Sequence, residues 1–299
     1  MELADLRDRF PAFDGLLVQI TGLLTRRRVV LAASDRVLSL AWWEQGEQRI
    51  INTDLPPDLC QGGVPLQREV LAELVADLLI EQGISSVSVE LELLLPLPIC
   101  DWRLLEGAAG LADATSLRVL APEMTWPLQW QESYVALTAM NEREMALVVG
   151  ADRLILQAWI DTVALADLNL CQAEWLLVAA WRALHALNAP LEGEWVWLIE
   201  SEGIWRLVVL CEGLPELDVG LKATQLPTVR DEVLFLLDAW DQKQRQVGVR
   251  RSWWITAGPS WKGRWQEGHS AGLHGSLVSD GEMSLLQLAL KAPPAESKP

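Results

Sequence analysis

Three histidines and four cysteines are the residues of this chain best suited to metal or nucleophile chemistry, and their spacing supports neither. His269 and His274 stand in the run Gly268-His269-Ser270-Ala271-Gly272-Leu273-His274-Gly275, with Asp280 and Glu282 nearby. Two imidazoles and two carboxylates could hold a divalent cation, but a glycine-rich spacing this loose reads first as a loop. His185, on a stretch of helical periodicity, is a lone base or, the preferred reading, a partly buried structural residue. Cys60, Cys100, Cys171 and Cys211 lie 40, 71 and 40 residues apart, with no Cys-x-x-Cys pair and no histidine to complete a zinc site. They read as reduced, mostly buried thiols. Glu90 and Glu92 alternate along one strand and are expected on a solvated face. Glu123, Glu132, Glu142 and Glu144 are scattered and form no catalytic constellation. A G-x-S-x-G elbow, a Walker A loop and an H-E-x-x-H helix are all absent.

The 299 residues include 41 acidic and 24 basic side chains, a formal charge of −17. The only dense basic run is Arg26-Arg27-Arg28, so nucleic acid is not an expected partner. Half the residues are apolar, which excludes wholesale disorder. Prolines and charges interrupt every apolar stretch before it reaches the roughly 18 residues of a spanning helix, so no transmembrane segment is expected. The first residues are acidic where a signal peptide is basic. A soluble cytoplasmic protein is the expectation.

The elements that must position any site follow from periodicity. Leu16, Leu17, Ile20, Leu23 and Leu24 mark an amphipathic helix within residues 1–25, which could dock on its own protein, a partner or a membrane surface. Strands are predicted at 29–33, 37–43 and 49–55, an antiparallel meander with a turn at Ser34-Asp35-Arg36. A helix follows over 67–81, closed by Gly83, then a strand over 87–95. Residues 107–127 are turn-rich. Next come a strand at 145–149, a helix at 152–167, a strand at 168–172 and a helix at 173–187. The opening design then repeats, with strands at 195–199, 205–211 and 215–219, a helix at 228–246 and a strand at 252–256.

A duplicated meander, helix and strand is the outline of an actin-like, ribonuclease H-like α/β fold. Across about residues 29–291 the order of pieces resembles the type IV pilus assembly protein PilM and its relatives, which are related to the division protein FtsA. Val29 to Leu40 resembles the first phosphate hairpin of that family. Met145 to Asp152 with its following helix, Leu168-Asn169-Leu170 and the helix from Ala173 resemble the return from its inserted subdomain. Trp197 to Gly213 resembles the second phosphate hairpin, Arg230-Asp231-Glu232-Val233 the "aDEI" helix, Ile255-Thr256-Ala257-Gly258 the adenosine loop, and Leu285 to Lys291 the closing helix. The resemblance implies a first actin-like domain over 26–106 and 172–189, an inserted subdomain over 107–171, a second domain over 190–291 and a disordered tail over 292–299.

The departures bear on function. Where the family carries an aspartate and glycines in the first hairpin, this chain has Ala32-Ala33-Ser34-Asp35-Arg36. The second hairpin has Ile199-Glu200-Ser201-Glu202-Gly203. Two carboxylates aimed at a triphosphate repel it by about 1 kcal/mol per charge pair even in water. Gly258 of the third loop is followed by Pro259, which lacks a donor. Between Val219 and Arg230 only ten residues stand where the family folds most of its fourth subdomain. Ser34, Asp35, Gly203 and Gly258 are therefore read as degenerate nucleotide-site positions, with ATP and magnesium disfavoured.

Most of the 16 tryptophans are expected in the core, Trp175 among those on helices. Trp126 and Trp130, in a proline-containing loop, and Trp261 and Trp265, in a basic glycine loop, fit a core less easily and are interface candidates. The resemblance implies a non-catalytic scaffold at the inner face of the cytoplasmic membrane, working with other pilus-assembly components. It would capture the tail of a PilN-like bitopic inner-membrane protein in a groove bounded by 94–102, including Leu95 and Trp102, and by 145–167. The competing reading is a divergent actin-like ATPase or kinase binding a nucleotide between its two domains, supported by Gly258 and Asp35 and opposed by Glu200 and Glu202. A stand-alone interaction module is the third.

Overall fold

The structure, a computed structural model, describes residues 26–106, 133–140, 145–188, 192–244, 250–258, 275–280 and 283–292. The amphipathic helix within 1–25, the turn-rich 107–127 segment, Trp126, Trp130, Trp261, Trp265, His269 and His274 lie outside them. Two compact units meet in sequence between Trp175 and Leu176.

The first unit is built on a five-stranded sheet. β1 (Arg27–Ala33), β2 (Val37–Glu44) and β3 (Glu47–Asp54) form the antiparallel meander. β4 (Cys60–Gln61) and β5 (Val64–Pro65) make a small hairpin. Helix α1 (Arg68–Glu81) buries Leu71, Ala72, Val75, Leu78 and Leu79, whereas Val70, on the stripe that periodicity predicts, is exposed. It ends where Gly83 takes a left-handed conformation (φ 68°) and the Ile84 amide donates back to the Leu79 carbonyl at 2.9 Å. β6 (Val89–Leu95) then lies parallel to β1, with Leu31 opposite Leu93.

Glu92 departs from expectation. β6 lies between β1 and β10 (Asn169–Trp175), and a strand in that position is covered on both faces. Glu92 is buried and stays there through an ion pair with Arg28, whose guanidinium lies 5.6 Å from the Trp43 ring centroid. Glu90 pairs with Arg26 at 2.8 Å.

A separate three-stranded antiparallel sheet, in the order β7 (Cys100–Glu106), β9 (Met145–Asp152), β8 (Ser133–Met140), is inserted between β6 and β10. Residues 100–106 thus pair within the insert rather than within the first sheet. Asp152 caps helix α2 (Arg153–Leu165), accepting the Leu154 and Ile155 amides at 2.9 and 3.0 Å. α2 packs on α1, with Arg68 and Asp161 paired at 2.8 Å. Ala173 and Trp175, expected on a helix, complete β10, which pairs parallel to β6 with a register shift between Leu170 and Gln172. Trp175 is buried edge-on to Trp102, with centroids 5.4 Å apart.

The second unit repeats the first. β11 (Glu194–Ser201), β12 (Ile204–Cys211) and β13 (Leu214–Gly220) form a meander, and β14 (Arg251–Thr256) and β15 (Gly275–Asp280) add in parallel. The orders β3-β2-β1-β6-β10 and β13-β12-β11-β14-β15 are the same plan. Helix α4 (Leu226–Gln244) covers one face, packing Val229, Val233, Leu237 and Trp240 against Val196, Leu198, Trp205 and Trp253. Helix α3 (Leu176–Asn188) packs against α5 (Leu285–Ala289), so residues 176–188 belong to this unit while 172–175 stay in the first sheet.

Candidate functional site

In the first hairpin, Ser34 closes the turn on itself. Its hydroxyl accepts the Arg36 and Val37 amides at 3.3 and 3.0 Å, and its own amide donates to the Val37 carbonyl at 2.9 Å. Asp35 points to the β4–β5 hairpin, where its two carboxylate oxygens accept the amides of Gly62 and Gly63, each at 2.9 Å. Beside it an open cleft of about 590 Å³ is lined by Asp35, Asp54 and Asp58 together with Arg36 and Cys60. Three carboxylates against one guanidinium make a poor phosphate site.

The second hairpin turns through Glu202 and Gly203, both left-handed (φ 55° and 82°), the geometry of a two-residue type I′ loop. Gly203 is therefore required by the turn itself. Glu202 is exposed at the tip, whereas Glu200 is 8% exposed and directed inward. Its Oε1 accepts the Gly203 amide at 2.7 Å and its Oε2 the Gly258 amide at 3.3 Å. Gly203 and Gly258, two of the residues read as nucleotide-site positions, thus meet on one side chain of the chain itself. Of the two carboxylates expected to face a phosphate, only Glu202 remains outward, and Glu200 consumes the donors.

Only residues 221–225 connect β13 to α4. Leu221 donates to the Trp205 carbonyl at 2.8 Å, and the Glu232 carboxylate accepts the amides of Lys222 and Ala223 at 3.1 and 2.9 Å. A helix side chain thereby satisfies the backbone of a connection too short to fold a subdomain.

Leu95 and Trp102, read as partner-binding residues, are 4% and 2% exposed and belong to the core. Trp102 packs edge-on with Trp175 inside that core. His185 is structural, in keeping with the preferred reading: its Nε2 and the Trp181 Nε1 both donate to the Gly213 carbonyl, at 2.8 and 2.9 Å. A carbonyl only accepts, so the imidazole carries its proton on Nε2. Burial holds this ring below its ordinary range, partly offset by the bond to Gly213. Burial likewise pushes the Cys60 thiol up to about 11 and Cys211 to about 12, leaving both as inert thiols, and only Cys171 is exposed. No group of metal-ligating side chains occurs among the described residues.

The contacts made by the Gly62 and Gly63 amides and by the Glu232 carboxylate were not expected from the sequence. Two adjacent glycines are a local turn signal, and nothing near them in sequence ties them to Asp35.

Set against solved structures, the duplicated sheets have clear counterparts. A protein from Bacteroides thetaiotaomicron with an actin-like ATPase fold and unknown function superposes with a TM-score of 0.56 at 10% identity, covering 90% of this chain and 96% of that chain. The fold is actin-like. The PilM–PilN type IV pilus biogenesis complex matches with a TM-score of 0.62 at 15% identity, over 89% of this chain and 97% of that one. The cytoplasmic domain of EpsL, an inner membrane component of the type II secretion system of Vibrio cholerae, matches with a TM-score of 0.51 at 14% identity, over 89% and 94%. No protein-family model and no curated protein matches the chain by sequence. Among the described residues no helix is long and apolar enough to cross a membrane.

Proposed function

We propose that this actin-like chain is a non-catalytic scaffold of a type IV pilus or related secretion machine, placed at the inner face of the cytoplasmic membrane, where it docks the tail of a PilN-like bitopic protein. The observation that carries the non-catalytic part is the engagement of Asp35 and Glu200. The two hairpin carboxylates accept backbone amides of the chain itself, so neither is presented to a hydrated magnesium ion or an incoming phosphate. The likeness to PilM in complex with PilN and to the EpsL cytoplasmic domain supports the assembly role.

The inserted sheet is the proposed docking element. β7 and β8 are its outer strands, each paired on one side only among the described residues, and an extended tail can add to such an edge by backbone pairing. Tyr134 on β8 and Leu154 on α2 are exposed apolar side chains within this region. The test is calorimetric titration of a synthetic tail peptide from a candidate bitopic partner. Micromolar binding that Tyr134→Glu and Leu154→Glu weaken by about tenfold supports the scaffold. Absence of binding to any bitopic tail, with turnover of ATP instead, supports a divergent ATPase.

A further inference from the structure

We infer that the apolar stripe of residues 16–24 docks on its own unit, over the exposed side chains Ile80, Val87 and Leu165 at the end of the first sheet where β1 begins. The inference is independent of the pilus assignment. It starts from a juxtaposition made by the topology: β1, β6 and β10 run parallel, with Arg27 opposite Val89 and Asn169 opposite Glu90, so all three strands begin at one end. Val87 stands on the connection into β6, Ile80 in the last turn of α1 before that connection, and Leu165 at the end of α2, just before β10. These aliphatic side chains are 79%, 71% and 54% exposed, and gathered at one end of a sheet they make an apolar patch rather than scattered exposure.

Chain continuity and charge name the occupant. The stripe of Leu16, Leu17, Ile20, Leu23 and Leu24 ends two residues before Arg26, at most about 7 Å of extended chain. Arg26 is itself held to this end of the sheet, its guanidinium paired with Glu90 of β6 at 2.8 Å. Neighbouring strands are about 4.8 Å apart, so β6 and β10 lie within reach of a segment that enters β1. Residues 16–25 carry no charged side chain, whereas residues 77–90 and 164–171 carry Asp77, Glu81, Glu90 and Asp167 and neither Lys nor Arg. That acidic rim disfavours an anionic lipid surface, while an uncharged segment meets it without repulsion. The covalent tether supplies the high effective concentration that a patch of this size needs.

The full chain is tested with paired cysteines in a Cys171→Ser background, which removes the exposed native thiol. Ile20→Cys with Val87→Cys is expected to be bridged within one chain by a short bismaleimide at least about tenfold faster than Ile20→Cys with Leu154→Cys, an exposed aliphatic position at the start of α2. Leu17→Asp with Leu24→Asp should remove that advantage. If the Val87→Cys chain does not fold, Ile20→Cys with Ile80→Cys carries the same measurement. Mixed isotopically light and heavy chains report bridges between copies, and sedimentation with phosphatidylglycerol vesicles reports lipid binding. Equal rates for the two pairs overturn the inference, as does an advantage that survives the aspartates. Bridges that form between copies, or vesicle binding by wild type that Ile20→Asp abolishes, overturn it in favour of a second copy or a lipid surface.

Discussion

The Asp35 carboxylate and the Gly63 amide are hydrogen-bonded at 2.9 Å, and this contact ties the first hairpin to the β4–β5 hairpin. Gly63 is also held from its other side, its carbonyl accepting the buried Trp159 indole at 2.9 Å. One glycine thus links β1–β2, the small hairpin and helix α2. The residue at the turn of the first hairpin serves the architecture of its own unit, its carboxylate accepting the amides of Gly62 and Gly63.

Gly63→Ala is expected to destabilise the protein by at least about 2 kcal/mol, read as a lower urea midpoint. The position is left-handed (φ 80°), and an added Cβ would lie 2.8 Å from Pro96 Cγ and 2.9 Å from Ile99 Cγ2. Gly46→Ala, also left-handed but facing open space, should cost less.

Arg251 is 7% exposed and pairs with both Glu194 on β11 and Asp241 on α4. Arg251→Ala leaves Glu194 and Asp241 buried or half-buried without their cation. A loss of about 3 kcal/mol or more is expected, since breaking a buried pair strands its partner. Urea denaturation at neutral pH measures it, and recovery in Arg251→Met with Glu194→Gln and Asp241→Asn would show that the stranded charge is the cause.

His185 gives a pH dependence with a definite sign. Its folded pKa is lowered, so between the ordinary value of 6.5 and the folded value the unfolded chain binds the extra proton. This contribution to stability is complete above about pH 6.5 and is lost as pH falls toward the folded pKa. His185→Gln, which can still donate to Gly213, should show a smaller drop in melting temperature between about pH 7.5 and pH 5.5 than wild type.

The two meanders were legible because alternation and the turns at Gln45-Gly46, Glu202-Gly203 and Glu212-Gly213 are local signals, each with two left-handed residues. Trp175 was misread because the apolar run from Leu176 onward continues a helical period backward across the end of β10. The insert's first strand, Cys100–Glu106, follows the proline-broken turn at Leu97–Ile99 and shows little alternation. Glu200 was legible as a negative charge in the wrong place for a phosphate. That it neutralises its own site was not, because one of its two donors, Gly258, is distant in sequence and nothing in either segment names the other.

The most direct measurement is an equilibrium titration of a fluorescent ATP analogue, with magnesium, into the wild-type chain. With Asp35 and Glu200 engaged by the protein's own amides, no saturable binding is expected in the micromolar range. Micromolar binding that Gly258→Trp abolishes would contradict the non-catalytic scaffold and establish a working nucleotide site.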